Sequence, residues 1–295
     1  MTAAVGFVGL GKMGAPMAAR LCAAGHDLAV LDVSAEATAA FLAANRATAA
    51  RTPRELAEGR DVVITMLPTS AIVAEVLHGS DGALAGLSPG ALVVEMSSGV
   101  PTATQALAED VRRAGGVLVD APVSGGVARA VTGELAIMVG GPADAVERAR
   151  PILATMGTSI LPTGAVGTAH AMKALNNLVS ATGLLISVEA LLIGKRFGLD
   201  PEVMVDVLNA STGMNNSTQK KLKPFVLSRR FDSGFGLELM VKDLSIALGI
   251  ARDGAVAAPL SSLTRELWAA ALAMQVGADH TDIARFSERL AGLEL

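Results

Sequence analysis

Tyrosine is absent from this chain, and tryptophan and cysteine occur once each. With Cys22 alone, no intrachain disulfide can form, and a reducing, cytoplasmic setting is expected. Aromatic residues make up 3% of the 295 residues although 51% are hydrophobic. The apolar mass is therefore Ala, Val, Leu, Ile and Met, which suits parallel strands and close-packed helices. Disorder does not fit this hydrophobicity. A strong charge of either sign is also missing. The net charge of −4 gives no reason to expect nucleic-acid or acidic-membrane partners. His26, His78, His170 and His280 show no metal-ligand spacing with one another, with Cys22 or with an acidic cluster, so no metal is expected. No run of about 20 residues lacks polar groups as a membrane span does. Ala174 to Ile193 comes nearest, but it carries Asn176, Asn177 and Glu189 and reads as a helix buried inside protein. The first apolar run is broken by Gly6, Gly9, Gly11, Lys12 and Gly14, unlike a signal peptide.

What is present is a repeating pattern. Ala4 to Val8 is a short apolar run that meets a glycine cluster. Met13, Met17 and Leu21 then recur at helical spacing. Leu28–Leu31, Val62–Met66, Ala91–Glu95, Val117–Val119, Leu135–Val139 and Ile160–Leu161 follow as further strands, separated by helical segments. Apolar strands alternating with helices indicate a parallel sheet covered on both faces. After Pro162 the pattern becomes helical, beginning with one long segment from about Val166 to Arg196. The expected architecture is an α/β domain over residues 1–163 and an all-helical domain over 164–295, joined by a long helix.

Gly9-Leu10-Gly11-Lys12-Met13-Gly14 follows a strand and opens a helix. Gly9 permits a tight turn, Gly11 lets the backbone approach a pyrophosphate, and Gly14 lets the helix pack on the strand. Unpaired N–H groups at the helix start then face the phosphates. Asp32 ends the second strand, where a carboxylate accepts hydrogen bonds from the ribose hydroxyls of NAD and repels a 2′-phosphate. No Arg or Lys follows it, so NAD is expected in preference to NADP. Leu67 and Pro68 follow the third strand of this series and Ser98 follows the fourth, where loops border a bound dinucleotide.

Four segments in order give the chain a family resemblance: Gly6 to Gly14, Asp120-Ala121-Pro122-Val123-Ser124-Gly125-Gly126, Lys173-Ala174-Leu175-Asn176-Asn177, and Lys242-Asp243-Leu244. Together they resemble the β-hydroxyacid dehydrogenases, which include 3-hydroxyisobutyrate dehydrogenase and tartronate semialdehyde reductase. The resemblance implies a Rossmann domain, a connecting helix, a helical domain that closes the site, and a homo-oligomer (dimer or tetramer). It implies that Lys173 is catalytic, that Lys242 faces the nicotinamide and the substrate, that Leu67-Pro68 lines the adenine side, and that Ser98 lines the nicotinamide side. One departure stands before the lysine, where the family often has a second glycine and this chain has Ala169.

The residues fit hydride chemistry on a hydroxy acid. Ser124, Gly125 and Gly126 lie past a strand end, where consecutive small residues turn N–H groups toward an anion such as a carboxylate. Lys173 and Asn177 share a helix face. A lysine there takes the hydroxyl proton as hydride leaves, or donates it in reduction, while Asn177 orients Lys173 or a substrate hydroxyl. An imine reductase-like enzyme is an alternative, but such enzymes usually lack a lysine at this position. A non-catalytic cofactor-binding module is another, and it would need a damaged lysine or carboxylate loop. The polar run Ser211 to Thr218 suggests a hydroxylated sugar acid, such as threonate or tartronate semialdehyde, ahead of 3-hydroxyisobutyrate. His170, three residues before Lys173, reads either as a pocket-rim residue or, the preferred reading, as a helix-start residue with a solvent-facing ring, and His280 as a fastener of the last helix.

Overall fold

The computed structural model describes residues 2–295. The chain forms two compact units, one ending at Lys173 and one beginning at Ala174.

In the first unit the elements run β1 (Ala4–Val8), α1 (Gly14–Ala23), β2 (Asp27–Leu31), α2 (Ala35–Ala44), β3 (Thr48–Ala49), α3 (Pro53–Ala57), β4 (Val62–Thr65), α4 (Ser70–His78), β5 (Leu92–Glu95), α5 (Pro101–Arg113) and β6 (Val117–Asp120). Then come β7 (Val123–Ser124), α6 (Gly126–Thr132), β8 (Leu135–Gly140), α7 (Ala143–Leu153) and β9 (Gly157–Gly164). Strands β3-β2-β1-β4-β5-β6 lie side by side and parallel. Residues such as Val5, Phe7, Val63, Ile64, Val93 and Val94 are fully buried, as a sheet covered on both faces requires. Ser34, Thr52 and Thr69 cap the starts of α2, α3 and α4 with their hydroxyls.

The strand order turns back at β1, which pairs with β2 on one side and β4 on the other. Ligands of open α/β sheets bind at such a point, outside the strands' C-terminal ends. The glycine loop follows β1, and Leu67 follows β4. The sheet is not wholly parallel. β8 runs antiparallel to β6 and β7, and β9 returns parallel to β8. The short β3 and β7 lacked a sequence signal because two residues show no alternation.

The helix α8 (Thr168–Phe197) begins in the first unit and continues through the second. It is long and apolar enough to cross a membrane by length and composition, but half of its most apolar window is buried in the protein. The second unit then contains α9 (Pro201–Asn209), α10 (Asn216–Lys220), α11 (Leu237–Asp253), α12 (Pro259–Ala273) and α13 (Ile283–Ala291). Its core gathers Leu184, Val188 and Leu191 of α8 with Leu222, Leu237, Leu244 and Trp268. Another side of α8 stays outside that core. Val179, Ile186 and Ile193 recur every seven residues along it and are 74%, 56% and 72% exposed.

Candidate active site

The glycine loop is shaped by contacts within the first unit. Gly9 has φ +101°, a value that residues with a Cβ avoid, and its N–H donates to the Leu31 carbonyl at 2.9 Å. A Cβ on Gly9 would strike the Met66 carbonyl, and one on Gly14 would strike the Gly9 carbonyl. A Cβ on Gly11 would meet no protein atom within 4 Å. Packing therefore requires the outer two glycines, while the middle one borders open space. The start of α1 has no side-chain cap. The Ala15 N–H is taken by the Gly11 carbonyl at 3.1 Å and Pro16 has no N–H, so an anion there would meet the loop N–H groups up to Gly14. Lys12 is exposed and Met13 half-buried beside this start. These features fit a dinucleotide pyrophosphate.

Asp32 stands just past β2 and holds the loop directly. Its Oδ2 accepts the Leu10 N–H at 2.6 Å and its Oδ1 accepts the Ser34 N–H at 2.8 Å. The next side chain, Val33, is fully exposed. Ser124 lies on β7, and Gly125 and Gly126 follow it with φ +136° and +70°. A Cβ on Gly125 would press on the Arg129 side chain, and one on Gly126 would meet nothing.

The start of α8 rests on a buried polar network. Asp120 Oδ1 accepts the Gly167 N–H at 2.8 Å and its Oδ2 accepts the His170 N–H at 2.9 Å. A carboxylate at the positive end of a 30-residue helix is favourably placed. The His170 ring is not solvent-facing, contrary to the sequence reading; the residue is 1% exposed. Its Nε2 lies 2.8 Å from Glu95 Oε2, and its Nδ1 lies 2.8 Å from Thr104 Oγ1. The network extends to the cofactor-side loops. Ser97 N–H donates to Glu95 Oε1 at 2.9 Å, and Leu67 N–H donates to Ser97 Oγ at 2.9 Å. Pro68 and Ser98 occupy these same two loops, exposed and half-buried respectively.

Burial and charge compete within this network. Burial disfavours an imidazolium at His170, but Glu95 and Asp120 more than offset it and raise the His170 pKa above its ordinary value. Burial pushes the Glu95 carboxyl up, yet the His170 charge and Ser97 leave it below its ordinary value. At Asp120 burial wins, and the carboxyl stays above its ordinary value despite His170 and two backbone donors. Both shifts favour the charged forms of Glu95 and His170 in this contact. Lys173 is half-buried one helical turn beyond His170.

In the second unit Asn177 is buried on the α8 face that also carries Lys173. Its Nδ2 donates to Asp243 Oδ2 at 2.5 Å, and its Oδ1 accepts from Asn176 at 3.2 Å. Lys242 Nζ lies 3.6 Å from Asp243 Oδ1. Asp243 is the residue here to which sequence reasoning gave no role. The signal was an acid inside an apolar helical stretch, since an acid 1% exposed needs partners. Two side chains of the polar run Ser211 to Thr218 are spent on structure. Asn215 and Thr218 form a capping box at the start of α10, and Asn215 Nδ2 also donates to Ser187 at 3.0 Å.

Known proteins match both units. Residues 4–167 match the family described as the NAD binding domain of 6-phosphogluconate dehydrogenase. Residues 167–287 match the NAD-binding family of NADP-dependent 3-hydroxyisobutyrate dehydrogenase. The chain is 34% identical to 2-(hydroxymethyl)glutarate dehydrogenase of Eubacterium barkeri, covering 99% of this chain and 97% of that protein. It is 38% identical to the NAD-dependent L-serine dehydrogenase of Pseudomonas aeruginosa, covering 90% of each. Among solved structures, Mycobacterium tuberculosis 3-hydroxyisobutyrate dehydrogenase with L-serine superposes with a TM-score of 0.90 at 32% identity, covering 97% of this chain and 99% of that one. The chain belongs to the β-hydroxyacid dehydrogenase family, NAD(P)-binding oxidoreductases that act on the CH–OH group of small hydroxy acids.

Proposed function

We propose that this protein uses NAD to oxidise a small 3-hydroxy (or 2-hydroxy) carboxylic acid to its semialdehyde or keto acid, and catalyses the reverse reduction. The observation that carries this reading is the pairing of Lys173 and Asn177 on one face of a helix whose start is pinned to the loops after β4 and β5. A bound nicotinamide supplies the hydride acceptor. Ser124, Gly125 and Gly126 hold the substrate carboxylate. Lys173 Nζ takes the hydroxyl proton in oxidation and returns it in reduction. Asn177, fixed by Asp243, orients the hydroxyl, and Lys242 serves the nicotinamide and substrate side.

A panel of hydroxy acids followed by NADH absorbance tests this. Turnover of 3-hydroxy acids with NAD is the expected result, and no NADH from any hydroxy acid refutes the reading. Asn215 and Thr218 are engaged in a capping box, so the case for a sugar acid rests on the exposed Ser211, Thr212 and Asn216 alone. The relatives' substrates, 2-(hydroxymethyl)glutarate and L-serine, instead favour acids bearing a hydroxymethyl group.

The NAD preference rests on Asp32. Asp32→Ala is expected to weaken binding of NAD more than of NADP, read as dissociation constants by NAD(P)H fluorescence. Equal losses would reject the assignment. Because Asp32 also holds the Leu10 N–H, Asp32→Asn serves as a control that keeps an acceptor and removes the charge.

The repeating Val179, Ile186 and Ile193 stripe on α8 supports a dimer, since contiguous exposed apolar surface marks an interface. We place the chain in the cytoplasm on its single cysteine. Ile186→Glu with Ile193→Glu is expected to shift the protein to monomer in light scattering, and an unchanged mass would overturn the dimer face.

A further inference from the structure

Lys221 stands at the junction of α10 and a π-helical segment, Leu222–Leu227. Such wide turns are uncommon and often mark functional sites. The side chain is half-buried, and its Nζ donates to Ser180 Oγ on α8 at 2.9 Å. It forms no ion pair among the described residues. Asp279 acts on it through space, but that carboxylate is already occupied. Asp279 accepts from Ser233 Oγ, Gly234 N–H, Thr281 N–H and Thr281 Oγ1. His280 adds no compensating charge. Burial, then the Lys221 charge, drive its pKa down to about 4, so it is neutral at pH 7. An ammonium has three N–H donors, and one is used here.

The placement of this cation matters. Residues 173, 177 and 180 fall on one face of α8. Segment α10 lies along that face, with Asn215 at its start bonded to Ser187 and Lys221 at its end bonded to Ser180. The end carrying Lys221 therefore points back toward Asn177 and Lys173. Ser180 is about 4.5 Å along the axis from Asn177 and about 10 Å from Lys173.

We propose that Lys221, presented by Ser180, binds a second oxyanion group of the substrate, so that the preferred substrate is a hydroxy acid with a further carboxylate, sulfonate or phosphonate at its far end. This deepens the proposed function and rests on it. Burial, partly offset by Asp279, lowers the Lys221 pKa to about 8. Selection for the second anion is therefore full below that pH and fades as the ammonium deprotonates above it, while a bound anion extends the range upward.

The test compares 2-(hydroxymethyl)butanedioate with 2-(hydroxymethyl)butanoate in the intact protein, in Lys221→Met and in Lys221→Arg. The intact protein is expected to favour the diacid in kcat/KM. Lys221→Met is expected to raise KM for the diacid by about 30-fold or more, with kcat and monoacid turnover little changed, and Lys221→Arg to retain most of the preference. The KM for the diacid should rise above about pH 8, with no such rise for the monoacid. Monoacid turnover by Lys221→Met doubles as proof of folding. Equal kcat/KM for the two acids in the intact protein, or an unaltered ratio in Lys221→Met, overturns this inference and leaves the hydroxy-acid reading standing. Failure to oxidise either acid or any other hydroxy acid overturns both.

Discussion

Lys173→Ala is expected to bind NADH as tightly as the unaltered protein and to turn over hydroxy acid about 10²- to 10⁴-fold more slowly, the range for loss of a positioned acid–base group. The expectation follows from where the lysine sits. The glycine loop and Asp32 that fit the dinucleotide lie at the β1 and β2 ends, and their hydrogen bonds involve Leu31, Leu10 and Ser34 rather than α8. Truncation at Lys173 leaves all of them in place. It removes the group that would carry the proton as hydride transfers. NADH fluorescence titration and initial rates in both directions read the two effects separately. Near-normal turnover would end the case for Lys173, and loss of NADH binding would mean that it supports the cofactor instead.

The second large effect is on stability. His170→Leu is expected to cost about 3–5 kcal/mol, the penalty for leaving a buried ionic partner uncompensated. Glu95 and Asp120, 2% and 0% exposed, would face each other's network without a cation. The pH dependence follows from the directions of the shifts. His170 is raised when folded, so its contribution is full below its unfolded pKa and is lost as pH rises through the folded value. Glu95 is lowered, so its contribution is present above the ordinary carboxylate pKa and is lost as pH falls through the folded value. Asp120 is raised, so its ionisation opposes folding as pH rises past the ordinary carboxylate range. In the variant, protonating Glu95 and Asp120 relieves the damage. The gap between the two proteins in denaturant unfolding is therefore widest near neutral pH and narrows in acid. Adding Glu95→Gln to His170→Leu should recover part of the loss. A gap that is small at neutral pH would show that the network does not hold the start of α8.

These two predictions separate what the sequence made legible from what it hid. Apolar runs such as Val62–Thr65 and Leu92–Glu95 announce buried strands because both of their faces are covered. The glycine loop is legible because turn geometry is local, and α8 because its helical pattern is long. His170 was misread because its partners come from far along the chain. Glu95 ends β5 and Asp120 ends β6, 75 and 50 residues earlier, and periodicity is blind to such pairs. The same holds for Asn177 and Asp243, 66 residues apart. Asn215 and Thr218 show the opposite case. Their polarity suggested a ligand, while a local capping box spanning four residues uses it.

Asp32 bears on any attempt to convert the protein to the phosphorylated dinucleotide. The obvious change removes its negative charge and makes room for a phosphate. The same carboxylate fastens Leu10, inside the turn that meets the pyrophosphate, and begins α2 through Ser34. Discarding it outright loosens the cradle that both dinucleotides share. A useful redesign retains a neutral acceptor at this position and imports the positive charge at the exposed Val33 site, separating recognition of the ribose from upkeep of the loop.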